Sequence, residues 1–237
     1  TISAAPPTRQ FDWARERLRV LTAPSPDKAM RESQSLLENA GAKANDAQRY
    51  GYALAQSRNG YPAAAELVLA QLAKGHPENL FVGLALADNA WTARNEVLSR
   101  KRYEDLMARH PDDRTVIVSY AETLNAIGSA DAGKRAQAIL RPILAGNAED
   151  PLFQKSFGRA SELAGDPSRA GEAFAEAAYL NGRAEDALNQ LNALLKRNDL
   201  SYMQRSRIEA RIAAITPEVL DLKRHRIRPQ DLPPDSG

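Results

Sequence analysis

One spacing constrains the fold of this chain more than any other feature. Two prolines that close matching segments, Pro77 and Pro111, are separated by about 34 residues, a spacing typical of helical repeats. The first segment carries Ala53, Gly60, Ala65 and Pro77, and the second carries Ala87, Arg94, Ser99 and Pro111 at the matching positions. Because small residues allow helices to approach, glycine permits a turn and proline ends a helix, each segment predicts two helices joined by a turn.

This spacing, called the period below, is that of the tetratricopeptide repeat (TPR), a helix–turn–helix unit. Apolar residues between Tyr52 and Leu106 recur at the spacing of a helix with one buried face. A single unit cannot bury that face alone, so successive units must stack. We therefore predict an all-α fold, a TPR superhelix of about twelve antiparallel helices.

Composition divides the chain into three parts. Residues 1–9 include the pair Pro6-Pro7 and are predicted to form a linker. Residues 10–215 carry the helical pattern and form the predicted TPR domain. Residues 216–237 combine a basic run with several prolines, which predicts an extended or disordered tail.

The first predicted helix runs from Gln10 to Leu21 and is amphipathic. Its apolar face consists of Phe11, Ala14, Leu18 and Leu21, and its charged residues lie on the other face. A second helix is predicted from Pro26 to about Asn39, because Ser25 is a favourable N-cap and Gly41 a favourable C-terminal stop.

The third repeat is predicted to be longer than the first two. Pro151 follows Pro111 by six residues more than the period, so we expect six extra residues, placed in a longer turn at 129–133 and at 146–148. Pro142 falls inside the expected second helix of this repeat, where proline removes a backbone donor. A kink or a late helix start is expected there.

Charge and composition exclude several functional classes. The chain has 32 basic and 30 acidic residues, a balance that argues against nucleic-acid or membrane-surface binding. No apolar run approaches the roughly 18 residues of a membrane-spanning helix, so direct membrane insertion is not expected. Cysteine is absent, which rules out disulfides and cysteine-ligated metals. The sequence begins with Thr1 and contains no signal peptide, so we expect a fragment or a processed chain.

No catalytic constellation is evident in the sequence. A zinc protease of the HExxH type needs two histidines one helical turn apart with a glutamate as base, and His76, His110 and His225 do not have that spacing. His76 and His110 precede the repeat-closing prolines and are predicted to be structural. The acidic pairs at 112–113 and 149–150 are predicted to cap helices. We expect no catalytic, cofactor-binding or metal-binding residue in this chain.

The predicted functional feature is instead a protein-binding surface. In stacked repeats, the first helix of each pair lines the concave side. By register this predicted groove face comprises Tyr50, Leu54, Arg58, Phe81, Asp88, Trp91, Thr115, Glu122 and Asn125. Trp91 has two interpretations. It is either an aromatic binding hot spot or a filler of the seam between repeats.

Several segments of the chain resemble one protein family. They are Arg15-Glu16-Arg17-Leu18-Arg19-Val20-Leu21, Tyr50-Gly51-Tyr52-Ala53-Leu54-Ala55, Phe81-Val82-Gly83-Leu84-Ala85-Leu86-Ala87, Ala178-Tyr179-Leu180-Asn181-Gly182-Arg183, Ala187-Leu188-Asn189-Gln190-Leu191 and Arg207-Ile208-Glu209-Ala210-Arg211-Ile212. Together with the order of the repeats, they resemble the C-terminal TPR domain of the BepA-type periplasmic zinc metalloproteases. That resemblance implies a periplasmic location and an upstream protease domain that holds the zinc. It also implies repeats that engage the outer-membrane β-barrel assembly machinery or its substrates, in assembly and quality control.

An alternative is a free-standing TPR scaffold or a co-chaperone adaptor. Adaptors that bind a C-terminal carboxylate place Lys, Asn and Arg along the groove. The comparable positions here hold Ala47, Tyr50, Leu54, Leu84, Thr115 and Val118. This composition argues against a carboxylate clamp and leaves other scaffold roles open. A self-contained hydrolase would require activity from this chain alone.

Overall fold

The computed structural model describes residues 9–227, and within this range the chain is all-helical. The first six helices are α1 (Arg9–Leu21), α2 (Pro26–Ala40), α3 (Asp46–Arg58), α4 (Pro62–Gly75), α5 (Leu80–Thr92) and α6 (Glu96–Arg109). The next six are α7 (Arg114–Ile127), α8 (Ala130–Leu140), α9 (Pro151–Leu163), α10 (Pro167–Leu180), α11 (Ala184–Leu195) and α12 (Tyr202–Ile227). Short 3-10 turns follow α2 and α8.

The helices form two compact units, and the chain passes from the first to the second between Tyr120 and Ala121, inside α7. In each unit, helices that are neighbours in sequence pack on one another. The predicted all-α, repeat-like architecture is therefore confirmed for the described residues. No helix in this part of the chain combines the length and hydropathy of a membrane span. The predicted linker lies outside the described residues except for Arg9, which begins α1.

The period recurs in the helix caps. The side chains of Asn45, Asn79 and Asp113 cap α3, α5 and α7, and each lies one period after the cap before it. Each supplies an oxygen that accepts backbone N–H groups of the first helical turn, which would otherwise lack partners. Because a cap marks the first turn of a helix, the regular spacing of the caps sets where each repeat begins.

The turns inside the helix pairs follow the same period. Gly60, Arg94 and Gly128 have φ of 85°, 62° and 77°, and they too are spaced by one period. Each pair therefore reverses through one residue in the left-handed region, which suits glycine and strains a side chain with a Cβ. Arg94 is the only residue other than glycine with positive φ in the described residues.

The predicted lengthening of the third repeat is correct in kind and in its placement near 146–148, but wrong in size and in its placement at 129–133. The capping residue Asp150 follows Asp113 by three residues more than the period, so three residues are added, not six. Pro151 is the first residue of its helix, whereas Pro111 precedes its cap by two, so the two prolines are not equivalent. The turn after Gly128 has the ordinary length.

The added residues lie after α8. This helix ends at Leu140, and 3-10 turns at Arg141–Ile143 and Ala145–Asn147 continue the chain. Pro142 lies in the first of these turns rather than at a kink or a late start. Because proline cannot donate the next helical hydrogen bond, the α-helix stops before it.

The prediction of an extended tail from residue 216 is wrong as far as Ile227. Helix α12 continues through Pro217 to Ile227. Ile208, Ile215 and Val219 are all buried in the core of the second unit, so the apolar row extends past the proline. That burial favours a continuous helix despite the lost donor. Residues 228–237 lie outside the described range.

Helix α1 presents an unexpected face to the core. Its predicted apolar face is largely exposed, with Phe11, Leu18 and Leu21 at 58%, 64% and 42%. The buried side is instead formed by Trp13, Val20 and residues between them. Periodicity located the amphipathic helix correctly, but it assigned the wrong face to the interior.

Substituting Arg94 by glycine should stabilise the first unit. Glycine relieves the left-handed strain at this position, and that gain exceeds the loss of chain rigidity and of the contact with Trp91, by about 0.5 kcal/mol. The matched change Gly60→Ala should lower the free energy of unfolding by about 1 kcal/mol, since a Cβ there meets no neighbour and only backbone strain is added. Urea unfolding of both variants measures the change in the free energy of unfolding. A less stable Arg94→Gly would contradict the conclusion that Arg94 is strained in the left-handed region.

Candidate protein-binding surface

Helix α1 covers the part of the predicted groove face that α3 contributes. Tyr50 and Leu54 are buried and share a core cluster with Trp13 and Val20 of α1. The Trp13 and Tyr50 rings meet edge to face, with centroids 5.4 Å apart. Neither Tyr50 nor Leu54 is therefore open to a partner while α1 is docked.

Gly51 allows α1 to approach α3 closely. A Cβ at this position would lie 2.5 Å from Oε2 of Glu16, which is closer than atoms can pack. Glu16 is itself only 4% exposed, and its Oε2 accepts a hydrogen bond from Nη2 of Arg19 at 2.7 Å. The same Arg19 nitrogen donates to Oγ of Ser33 at 2.9 Å, which ties α1 to α2. A buried carboxylate is stable here because its charge is paired.

Arg58, the third predicted residue of α3, is exposed and contacts the end of α1. Its Nη1 donates a hydrogen bond to the carbonyl oxygen of Val20. Carbonyls in the last turn of a helix have no partner within the helix, and cations there interact favourably with the helix dipole. Arg58 thus acts as a C-terminal cap for α1.

A polar network extends from α1 to α5 and α6. Nη1 of Arg17 lies 3.5 Å from the Tyr50 hydroxyl, and its Nη2 lies 3.7 Å from Oδ2 of Asp88. The Tyr103 hydroxyl donates a hydrogen bond to Asp88. Burial raises the pKa of Asp88, although the Tyr103 hydrogen bond and the Arg17 charge act in the opposite direction. Asp88, predicted to face a partner, instead binds the chain's own first helix.

The rest of the predicted groove face on α5 is more open. Phe81 is half-buried and packs at the edge of the core of the first unit. Trp91 is half-buried, and the guanidinium of Arg94 lies 5.9 Å from the centre of its ring. Such a ring offers apolar area, with a cation at its face. Phe81 and Trp91 are both half-buried, but Phe81 packs against the core cluster and Trp91 is not part of it, so Trp91 is the candidate anchor.

The three predicted residues of α7 differ in their surroundings. Thr115 in the first unit and Glu122 in the second are exposed. Asn125 is half-buried, and its Nδ2 donates to the carbonyl oxygen and to Oγ of Ser156, at 3.0 and 3.2 Å. Its Oδ1 is buried without a hydrogen-bond partner. Asn125 therefore joins α7 to α9 within the second unit.

The contacts of His76, Asp113 and Asp150 agree with the structural roles predicted for them. Nε2 of His76 lies 2.7 Å from Oδ2 of Asp46, which links the end of α4 to the start of α3. The His110 backbone N–H donates to the carbonyl of Leu106, 2.8 Å away, at the end of α6. Asp113 and Asp150 cap α7 and α9 through their side chains, as predicted.

In the second unit, paired ions hold α12 against α10. Arg207 and Glu172 form two hydrogen bonds of 2.5 and 2.6 Å, and Arg211 and Glu176 form two of 2.8 and 2.7 Å. These four residues line a cavity of about 200 Å³ together with Phe157 and other side chains. Because both guanidinium groups already hold a carboxylate bidentately, these ion pairs have a structural role.

Sequence reasoning did not identify Trp13 and Arg17, through which α1 covers part of the predicted groove face. The burial of Trp13 was not predicted because the more regular apolar spacing on α1 runs through Phe11 and Leu18. Arg17 belongs to a run of charges that predicts a solvated face. No sequence signal marks which arginine of that run points inward.

The comparisons with known proteins add no family. No protein-family model matches the chain, and no curated protein sequence matches it.

Replacing Asp88 by asparagine should change how stability depends on pH. Because the pKa of Asp88 is raised by folding, the folded state holds the proton more tightly than the unfolded chain. The wild type should therefore lose stability relative to Asp88→Asn as the pH rises from about 4 towards 7. Asparagine keeps an oxygen that can accept the Tyr103 hydrogen bond.

Urea unfolding between about pH 4 and pH 7 measures this difference. Asp105→Asn, at an exposed position on α6, is the control for simple loss of a carboxylate. About a third of the Asp88 side chain (35%) is exposed, so solvent reduces the size of the effect. If the wild type gained stability relative to the variant as the pH rose, the ion pair with Arg17 would outweigh burial.

Proposed function

We propose that this chain is a non-catalytic protein–protein interaction module built from tetratricopeptide repeats. The observation that carries the proposal is the recurrence, once per period, of both a helix cap (Asn45, Asn79, Asp113) and a left-handed turn residue (Gly60, Arg94, Gly128). This is the period and the helix–turn–helix plan of the TPR. Arrays of this type present extended surfaces to protein ligands.

The wider context follows from the resemblance to BepA-type proteins. We propose that the module belongs to a periplasmic zinc metalloprotease and chaperone that acts in outer-membrane protein assembly and quality control. In that role the repeats hold the β-barrel assembly machinery or its substrates, and the zinc belongs to the protease domain. The quoted repeat segments between Tyr50 and Arg183 support this context.

Trp91 is the proposed anchor on the first unit. It lies on the predicted groove face, it is half-buried, and it is not covered by α1 in the way that Tyr50 is. Aromatic residues in such positions contribute most to binding, because they offer a large rigid area at small entropic cost. An unfolded β-barrel polypeptide, rich in alternating apolar side chains, supplies groups that can pack on the ring.

Trp91→Ala should weaken binding of a urea-unfolded outer-membrane β-barrel protein about tenfold or more, as loss of a hot spot does. Its thermal midpoint should change little, because the ring is only partly buried. Val97→Ala, which removes an exposed apolar side chain on α6, is the matched control and should bind normally. Light scattering during dilution of the unfolded protein, and anisotropy of a labelled fragment, give the affinity. A large fall in the midpoint with unchanged binding would make Trp91 a core residue.

The intact mass and zinc content of the native gene product test the wider context. A product about twice the length of this chain with about one zinc ion would support an upstream catalytic domain. A zinc-free product of nearly the present length would reject the protease context and favour the free-standing scaffold.

A further inference from the structure

Helix α1 departs from the packing of the regular helix pairs. In the pairs α3–α4 and α5–α6, the two helices pack closely on each other along their length. Helix α1 instead makes most of its contacts with α3, and fewer with α2, the helix that follows it in sequence. It also reaches α5. Because α3 and α5 carry the predicted groove face, α1 occupies part of this face in the manner of a bound helix.

The contacts of α1 with this face come from one side of the helix. The Trp13 ring meets the Tyr50 ring edge to face. The guanidinium of Arg17 lies 3.5 Å from the Tyr50 hydroxyl and 3.7 Å from the Asp88 carboxylate. Val20 is fully buried. Positions 13, 17 and 20 have the i, i+4, i+7 spacing with which an amphipathic helix anchors in a groove.

Asp88 makes this part of the face selective for a cation. In the described part of the chain, Arg17 is the cation that pairs with the Asp88 carboxylate, and the Arg17 side chain is only 13% exposed. If α1 left the face, Asp88 would keep the hydrogen bond from Tyr103 but would lose its cation. A partly buried carboxylate without a cation is unfavourable. An arginine supplied by another helix would restore the pair.

The composition of the contact is typical of a protein–protein interface. Aromatic residues and arginine are enriched in interfaces, and the inner side of α1 combines Trp13 and Arg17 with Glu16, which is 4% exposed. Residues 22–25 alone join α1 to α2, and α2 packs on α3 by contacts of its own. Helix α1 can therefore separate from the face while α2 stays in place.

We infer that the part of the groove face formed by Tyr50, Leu54 and Asp88 is a helix-binding site that α1 occupies within the chain. Its ligand is a helix of a partner protein with an aromatic residue, an arginine four residues later and an aliphatic residue three residues after that. Such a helix makes the contacts of α1 and displaces it, so the contact of α1 is autoinhibitory. This inference goes beyond the proposed function, because it concerns the face beneath α1 and not Trp91.

Competition by α1 determines how tightly a partner helix binds. A tethered helix competes at a high effective concentration. The apparent affinity of a partner is its intrinsic affinity reduced to the fraction of molecules in which α1 has left the site. Changes in α1 that weaken its own contacts, and that leave α3 and α5 unaltered, should therefore raise the affinity for a partner helix.

A peptide with the sequence of α1 tests the inference. The probe is a labelled peptide of residues 9–21 with blocked ends, and fluorescence anisotropy measures its binding to the full chain. The wild type should bind it weakly, because its own α1 holds the site. The Trp13→Ala chain should bind it at least about tenfold more tightly, because the fraction of open sites rises. Equal binding by the wild type and Trp13→Ala, or no binding by either, would overturn the inference.

Two further variants separate opening of the site from a loss of fold. Arg17→Ala is a milder change and should give a peptide affinity between those of the wild type and Trp13→Ala. Leu18→Ala is the matched control on the exposed side of α1 and should bind as the wild type does. Far-UV circular dichroism should show the wild-type helix content in all three. An equal rise in affinity in Leu18→Ala and Arg17→Ala would overturn the inference, because the inner side of α1 would then not be what closes the site.

Changes in the peptide test the role of Asp88. A peptide with Arg17→Glu should bind the Trp13→Ala chain about tenfold more weakly than the parent peptide. A peptide with Arg15→Glu is the control, since 53% of the Arg15 side chain is exposed, and it should bind as the parent does. Adding Asp88→Asn to the chain should remove the preference for the parent over the Arg17→Glu peptide. A preference that survives Asp88→Asn would overturn the assignment of the cation site.

Sedimentation of the chain alone tests the competing occupant. A concentration-dependent dimer that is lost in Trp13→Ala would mean that α1 of a second copy occupies the site, and would overturn the inference. The proposed anchor at Trp91 is tested with an unfolded β-barrel protein on the wild-type chain, in which α1 is docked. A failure of the helix site and a failure of the proposed function are therefore distinguishable.

Discussion

The structure depends on one constraint, which is that each helix pair must reverse direction and restart within a fixed number of residues. A left-handed residue makes the reversal, and a side-chain oxygen beyond the second helix satisfies the first amides of the next pair. In the three pairs from α3 to α8 these residues are Gly60, Arg94 and Gly128 for the reversal, and Asn45, Asn79 and Asp113 for the restart. Because the backbone geometry recurs, alanines at matching positions, such as Ala53 and Ala87, are both fully buried.

Helix α1 is held in place by a different kind of contact. Its inner side combines two apolar residues, Trp13 and Val20, with the charged groups of Glu16 and Arg17, and all of these lie against α3. Buried charges pair with few partners in few geometries, so they fix the position of a helix more sharply than apolar contacts do. The missing side chain of Gly51 admits the Glu16 carboxylate. The result is a helix that is held by apolar and polar contacts together and whose predicted apolar face is largely exposed.

Local rules predicted much of the fold, because they depend on residues close together in sequence. The limits of α1 and α2, the caps at Asp113 and Asp150, and the all-helical class followed from spacing and from capping chemistry. The sequence did not predict the outcome where the local pattern allows two structures, such as two positions of a proline relative to the cap or two ends for a helix. Counting from Pro111 to Pro151 overestimated the insertion because proline occupies two different positions relative to the caps. Pro217 suggested an end to the last helix, yet burial of Val219 in the core of the second unit outweighed it. For the candidate site, register placed Trp91 on an open face, but the cover that α1 provides for Tyr50 and Leu54 depends on long-range contacts that no local pattern encodes.

The three residues added after α8 have a consequence for how such a chain can change in length. Between Asn45 and Asp113, removing or duplicating one period brings one capping residue to the position of another. The helices on the two sides of the change can therefore make the same contacts as before. The segment from Asp113 to Asp150 is three residues longer than the other two and is not interchangeable with them. Recombination can therefore exchange whole periods in the first part of the array and keep the caps and turns in register. The third pair, with its 3-10 turns, has a different length, so exchanging it with another pair would shift this register.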